Sequence, residues 1–155
     1  MTFRDIAFGS DDFRKECELR NEVLRVPIGL SLYDENLDQE REQLHFGLFD
    51  QGDDLVACVI ATPLSSTEAK IRQMAVHRER QGKGHGRRVI HDLEDYLARR
   101  GFVHLVMHAR VTAAGFYAKL GYAKVGHEFG EVGIPHVRME KHIQISTADA
   151  TKSRA

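Results

Sequence analysis

Two cysteines among 155 residues, Cys17 and Cys58, are too few for a disulfide framework and have no metal-ligand spacing. A reducing cytoplasm is the expected location. No apolar run approaches the length of a membrane span, and the N-terminus carries no apolar signal region, so no membrane partner is expected. A basic excess is missing as well. The net charge of −1 and a pI near 6.8 argue against a nucleic-acid partner or an anionic-membrane binder. No internal repeat is visible. What remains, 42% hydrophobic and 29% charged residues, describes an ordinary soluble domain long enough to bury a core. The expected organisation is one domain over residues 1–145, followed by a flexible tail over 146–155, which is small and polar.

The chemistry gathers in residues 71–91. Ile71 to Val76 reads as a strand, a short basic segment follows, and Gln81-Gly82-Lys83-Gly84-His85-Gly86 is a glycine-spaced turn opening a helix. A strand feeding a glycine loop at a helix start suits a phosphate. The first helical N–H groups have no partner inside the helix, and the peptide dipoles favour negative charge there. Two familiar phosphate loops do not fit. A P-loop needs Ser or Thr after its Gly-Lys, and none follows Lys83 or Gly86. The dinucleotide fingerprint needs a third glycine where Arg87 stands. The remaining pattern is Gln-x-x-Gly-x-Gly, on Gln81, Gly84 and Gly86.

Along the chain the elements alternate. Thr2 to Phe8 is a strand candidate. Ser10 or Asp11 can cap a helix running through Phe13, Cys17 and Leu19–Arg20 to Val26, which Pro27 and Gly29 stop. Residues 27–43 form an irregular acidic connection, with Leu30, Leu32, Tyr33 and Leu37 expected to fold back. Strands at 43–49 and 54–62 flank a Gln51-Gly52-Asp53 turn. After a strand at 69–76, a helix over 84–100 carries Val89, Ile90, Leu93 and Leu97 on one stripe, with Gly101 as its C′ residue. A strand at 102–109, a short helix at 112–120 closed by Gly121, and strands near 122–129 and 134–143 complete an α/β domain with a mixed sheet. In the short helix, Ala113, Phe116, Tyr117 and Leu120 are spaced as a core stripe. A buried Tyr117 would need a partner for its hydroxyl.

Nine histidines raise the question of a metal. His104 and His108 share a strand face but lie ~13 Å apart at ~3.3 Å per residue, too far to share an ion, and no metal is expected. Cys17 and Cys58 occupy ordinary apolar positions, which speaks for direct transfer rather than a covalent cysteine route.

The glycine loop, together with Ala113-Ala114-Gly115-Phe116-Tyr117-Ala118-Lys119-Leu120-Gly121-Tyr122, resembles the two signatures of the GNAT family of N-acetyltransferases. The resemblance spans roughly residues 12–142. It implies the GNAT acyl-CoA N-acyltransferase fold, a mixed, mostly antiparallel sheet flanked by helices, with acetyl-CoA as co-substrate and the amine of a small molecule as acceptor. On that resemblance, backbone groups of Met74, Ala75 and Val76 meet pantetheine, and one of their N–H groups polarises the thioester carbonyl. Gln81, Gly82, Lys83, Gly84, His85, Gly86 and Arg87 hold the pyrophosphate. Phe116 packs on the CoA arm, and Tyr117 protonates the departing thiolate. A homodimer is common for such folds.

Val23-Leu24-Arg25, Leu44-His45-Phe46-Gly47, Ile71-Arg72-Gln73-Met74-Ala75, His108-Ala109-Arg110 and Ile134-Pro135-His136-Val137-Arg138-Met139 resemble, within that family, the glyphosate N-acetyltransferase and ElaA/YjcF-like group. This implies that Arg25, Arg72 and Arg110 surround an anionic substrate end and that His136 takes the amine proton. The chemistry is coherent, since an ammonium cannot attack a thioester and histidine titrates near neutrality. From the residues alone the three arginines are equally well surface or sheet-face charges, and His136 an exposed strand histidine. Residues 27–43 do not align with the glyphosate enzyme, so glyphosate itself is expected to be no more than a probe. Two other functions stay open. One is a protein or peptide N-acetyltransferase, supported by the acidic run Asp34, Glu35, Asp38, Glu40 and Glu42. The other is a non-catalytic acyl-CoA sensor, against which Tyr117 and His136 both speak.

Overall fold

A computed structural model describes residues 1–145; the proposed tail at 146–155 lies outside the described residues. Among the described residues seven strands form one sheet in the order β1-β2-β3-β4-β5-β7-β6. Their ranges are β1 Thr2–Asp5, β2 Leu44–Phe49, β3 Leu55–Pro63, β4 Glu68–Val76, β5 His104–Arg110, β6 Ala123–Glu131 and β7 Ile134–His142, with helices α1 Asp11–Arg20, α2 His85–Arg99 and α3 Ala114–Lys119. The pairs β1–β2, β2–β3, β5–β7 and β6–β7 run antiparallel, and β4–β5 runs parallel. This is the mixed, mostly antiparallel GNAT arrangement that the two signatures imply. The chain divides into two compact units, residues 1–62 with 72–93, and residues 63–71 with 94 onward, so β4 and α2 contribute to both.

In the first unit, Ser10 caps α1 by accepting from the Phe13 N–H at 3.1 Å, as the sequence predicts. The helix does not continue unbroken to Val26. It widens into a π-type turn at Asn21–Arg25 and tightens into a 3₁₀ turn at Val26–Ile28, closed by Gly29 at φ 76°. Ile6, Phe13, Cys17, Leu32 and Phe49 form one buried cluster, with Leu37 packed against it. Of the four apolar residues expected to fold back from the 27–43 connection, Leu32 and Leu37 do so, whereas Leu30 and Tyr33 stay exposed. The first strand ends at Asp5 rather than Phe8, because Phe8 turns in toward Phe13 at 4.6 Å between ring centroids.

In the second unit, Gly101 takes φ 89° and Gly121 φ 97°, the left-handed positions at which both helices were expected to end. The short helix corrects the expected stripe. It spans only six residues and turns Ala114 and Tyr117 inward, leaving Phe116 at 37% exposure. β6 also runs two residues further than expected, to Glu131. A two-residue turn, Val132 at φ 46° and Gly133 at φ 78°, joins it to β7.

Candidate functional site

The glycine loop has an open backbone at a helix start. Gly82 and Gly84 both sit at positive φ, 77° and 83°, and an added Cβ at either would meet nothing within 4 Å. The space over the loop is open for an anion to approach the peptide groups. Helix α2 begins at His85 and its first bond runs from the Arg88 N–H to the Gly84 carbonyl at 3.0 Å. The N–H groups of His85, Gly86 and Arg87 therefore have no acceptor inside the helix. Lys83 and Arg87 are exposed beside them. Gln81 ties the loop back to β4, donating from Nε2 to the Val76 carbonyl at 3.0 Å. That bond takes one of the backbone groups in the Met74–Val76 stretch.

Earlier in β4, Gln73 adopts φ 57°. A non-glycine residue in the left-handed region inside a strand rotates its peptide groups off the ladder direction, as a bulge does. Two side chains support it, with Arg20 Nε donating to Gln73 Oε1 at 3.3 Å and Cys58 Sγ approaching the Gln73 carbonyl at 3.9 Å.

The arginines of the first unit are not bare surface charges. Arg25 is only 5% exposed, donates from Nε to Glu35 Oε2 at 2.6 Å and from Nη1 to the Leu24 carbonyl at 3.2 Å. Arg72 is half-buried and donates from Nη1 to Gln43 Oε1 at 2.6 Å. The acidic run that supported a peptide groove is partly consumed: Glu35 holds Arg25, and Glu40 is buried.

Glu40 belongs to a cluster with no counterpart in the sequence reading. The Arg20 guanidinium grips both Glu40 oxygens, at 2.9 and 2.6 Å, and Glu16 at 2.8 Å. His45 places Nδ1 3.0 Å from Glu16 and Nε2 2.9 Å from the Glu40 carbonyl oxygen. Both ring nitrogens thus face oxygen atoms, the arrangement in which an imidazolium donates two hydrogen bonds. Glu16, Glu40 and His45 are close enough to hold a metal, but the Arg20 guanidinium already satisfies the two carboxylates. Burial opposes the His45 charge, yet the hydrogen bond and charge of Glu16 outweigh it and hold His45 above the usual histidine range. The stability His45 adds is therefore complete below its unfolded value of 6.5 and is lost as pH rises through the raised folded value. We expect urea midpoints to decline as pH rises above 6.5 in the wild type and to lose that dependence in His45→Gln.

The second unit holds the remaining candidates. His136 is 4% exposed, which corrects the picture of an exposed strand histidine. Its Nδ1 lies 2.9 Å from the Ile134 carbonyl oxygen, which can only accept, so Nδ1 carries the proton and Nε2 is the basic nitrogen. Arg110 sits directly opposite His136 in the β5–β7 register. Tyr117 is buried, and burial alone pushes its phenol up to about 12. Its ring meets Phe116 and Tyr122 edge-on at 5.0 and 6.0 Å. Glu131 and His108, to which no role was given from sequence, adjoin His136: Glu131 Oε2 lies 3.8 Å from His136 Nε2, and Oε1 lies 2.9 Å from His108 Nδ1. The one available signal was the turn glycine, Gly133, which fixes where β6 ends.

Comparison with known proteins agrees with this architecture. The model of the acetyltransferase (GNAT) domain family matches residues 23–143. YyaT, an uncharacterized protein of Bacillus subtilis, is 37% identical over 75 residues, 48% of this chain and 51% of that protein. The chain thus spans about half the length of the curated relatives it matches. Among solved structures, Escherichia coli ElaA superposes with a TM-score of 0.75 at 18% identity, covering 91% of this chain and 99% of that one. A GNAT family acetyltransferase from Elizabethkingia anophelis, solved with acetyl-CoA bound, gives a TM-score of 0.70 at 16% identity, covering 92% and 97%. At these identities the likeness is one of fold. The family model covers well over half of the residues, and on that ground this chain belongs to the GNAT family of acetyltransferases.

Proposed function

We propose that the protein moves an acetyl group from acetyl-CoA to the amine of a small carboxylate- or phosphonate-bearing molecule, by direct attack with both substrates bound. The observation that carries this is the fixed tautomer of His136. A buried imidazole whose Nδ1–H is committed to the Ile134 carbonyl presents a basic Nε2 and can take the ammonium proton that blocks attack. Tyr117, pushed up to about 12, keeps its proton throughout the working range and serves as the acid for the departing thiolate. The loop from Gln81 to Arg87 holds the pyrophosphate through its N–H groups, with Lys83 and Arg87 adding charge. Exposed Phe116 is the apolar contact for the CoA arm.

Arg25, Arg72 and Arg110 are assigned to the anionic end of the acceptor, within the glyphosate N-acetyltransferase and ElaA/YjcF-like group. Arg25 then exchanges its half-exposed partner Glu35 for the substrate anion, or shares it. A covalent route through cysteine is disfavoured, because burial pushes the Cys17 thiol up to about 11 and raises Cys58 further.

The test is release of CoA thiol from acetyl-CoA with anionic amino acids, aminophosphonates, polyamines and a basic peptide. Turnover confined to anionic amines, and about 10²-fold lower in His136→Ala, is the expected result. Turnover with cationic amines alone would remove the arginine assignment. Tight acetyl-CoA binding without any turnover would favour the sensor.

A further inference from the structure

Glu131 has a placement that the proposed roles leave unexplained. It ends β6 opposite Ile134, the residue whose carbonyl orients His136. The Val132-Gly133 turn between them has both residues at positive φ, the geometry of the tightest hairpins. One short hairpin therefore delivers to His136 both its orienting carbonyl and a carboxylate. Phe129 stacks on His136 at 6.2 Å and meets His108 edge-on at 4.9 Å, filling the space between the two imidazoles.

Cationic side chains lie close to this pair. Arg110 is the register partner of His136, and Arg138 that of His108. Arg138 is held by Glu140 at 2.9 and 3.1 Å. Lys70 Nζ lies 3.4 Å from His108 Nδ1. That nitrogen can accept from Lys70 or donate to Glu131, but not both at once. Partial burial works against ionisation of Glu131, yet the His108 hydrogen bond and the charges of His108, His136 and Lys70 outweigh it and hold the carboxyl below its usual range. Glu131 is an anion in a basic setting.

We propose that Glu131 is a positioning residue for acetyl transfer, pairing with the imidazolium that forms when His136 Nε2 takes the acceptor's proton. This rests on His136 as the base. In that step the acceptor's N–H bond breaks, the Nε2–H bond forms, His136 goes from neutral to +1, and Glu131 stays at −1. Without Glu131 the new charge would lose the carboxylate that lies 3.8 Å from Nε2. The interaction is made in the transition state and not with bound substrate, so its loss falls on kcat rather than KM.

The experiment compares Glu131→Gln, Glu131→Asp, His136→Ala and the Gln/Ala double variant, with aminomethylphosphonate and acetyl-CoA as substrates. Glu131→Gln is expected to lower kcat roughly ten- to a hundredfold with both KM values within about twofold, and Asp to restore most of the rate. In the His136→Ala background the Gln substitution costs nothing more, since the two act as one unit. Loss in His136→Ala with wild-type kcat in Glu131→Gln overturns this inference alone, as does an additive double variant. Wild-type turnover in His136→Ala overturns the base assignment and this inference with it. A second measurement needs no turnover: the Glu131 carboxyl carbon, followed by NMR against pH, should show an inflection that His136→Ala removes. An unchanged curve means that Glu131 does not sense the His136 charge, and the proposal fails.

Discussion

Arg20→Met should be the most destabilising single substitution in the first unit, removing about 3–5 kcal/mol in urea unfolding. Arg20 and Glu16 have no exposed side-chain surface, and Glu40 very little. Methionine fills much of the same space but leaves two buried carboxylates facing one another, with only the His45 imidazolium against them. The cost is dominated by that uncompensated charge rather than by lost attraction, because a buried ion pair roughly offsets its own desolvation. Two controls follow from this. Replacing Glu16, Arg20 and Glu40 together by apolar residues of similar volume should cost much less than Arg20→Met alone. Arg14→Met, which breaks exposed pairs to Asp11 and Glu18, should leave the urea midpoint almost unchanged. Since a domain of this size has roughly 5–15 kcal/mol in all, Arg20→Met takes about a fifth of it or more. An Arg20→Met protein as stable as the wild type would mean that the carboxylates are protonated or hydrated, and that the four groups do not form a charged unit.

That cluster also marks where sequence reasoning stops. Glu16 and Arg20 are four apart on α1 and could be paired on sight, but an i,i+4 pair is ordinarily a solvated surface feature. Its burial depends on Glu40 and His45, from distant stretches, and neither residue type announces that it faces inward. The same limit applies to His136. Strand alternation puts it on one face with Arg138 and Glu140, but which part of that face is covered is decided by Phe129 on the neighbouring strand. Local chemistry was far easier to read. The glycine loop, the ends of α2 and α3 at Gly101 and Gly121, and the Ser10 cap depend on backbone conformation or on one nearby hydrogen bond, so each is written where it acts. The stripe in α3 failed for an intermediate reason. Six residues are fewer than two turns, so periodicity could not choose between a face led by Phe116 and one led by Ala114 and Tyr117.

The second large effect concerns Tyr117. We expect Tyr117→Phe to lower kcat about 10²-fold while leaving the acetyl-CoA dissociation constant within about twofold. Phenylalanine keeps the ring and its edge-on contacts to Phe116 and Tyr122, so the fold and the apolar surface are preserved. Only the proton is lost. A phenol pushed up to about 12 looks like a weak acid for a thiolate whose conjugate thiol ordinarily titrates near 8.5. The same desolvation, however, acts on both partners. Burial that penalises a phenolate penalises a departing thiolate in the same surroundings, and buried Cys58 shows thiols in this protein moving up likewise. In the proposed role the gap in acidity therefore narrows, and the phenol would hold its proton until the thiolate forms. A pH–rate curve should accordingly show no loss assignable to Tyr117 below about pH 11, and the same shape should appear in Tyr117→Phe at a lower plateau. A Tyr117→Phe enzyme with wild-type kcat would mean that the thiolate leaves unprotonated or takes its proton from water, and the role of the phenol would reduce to packing.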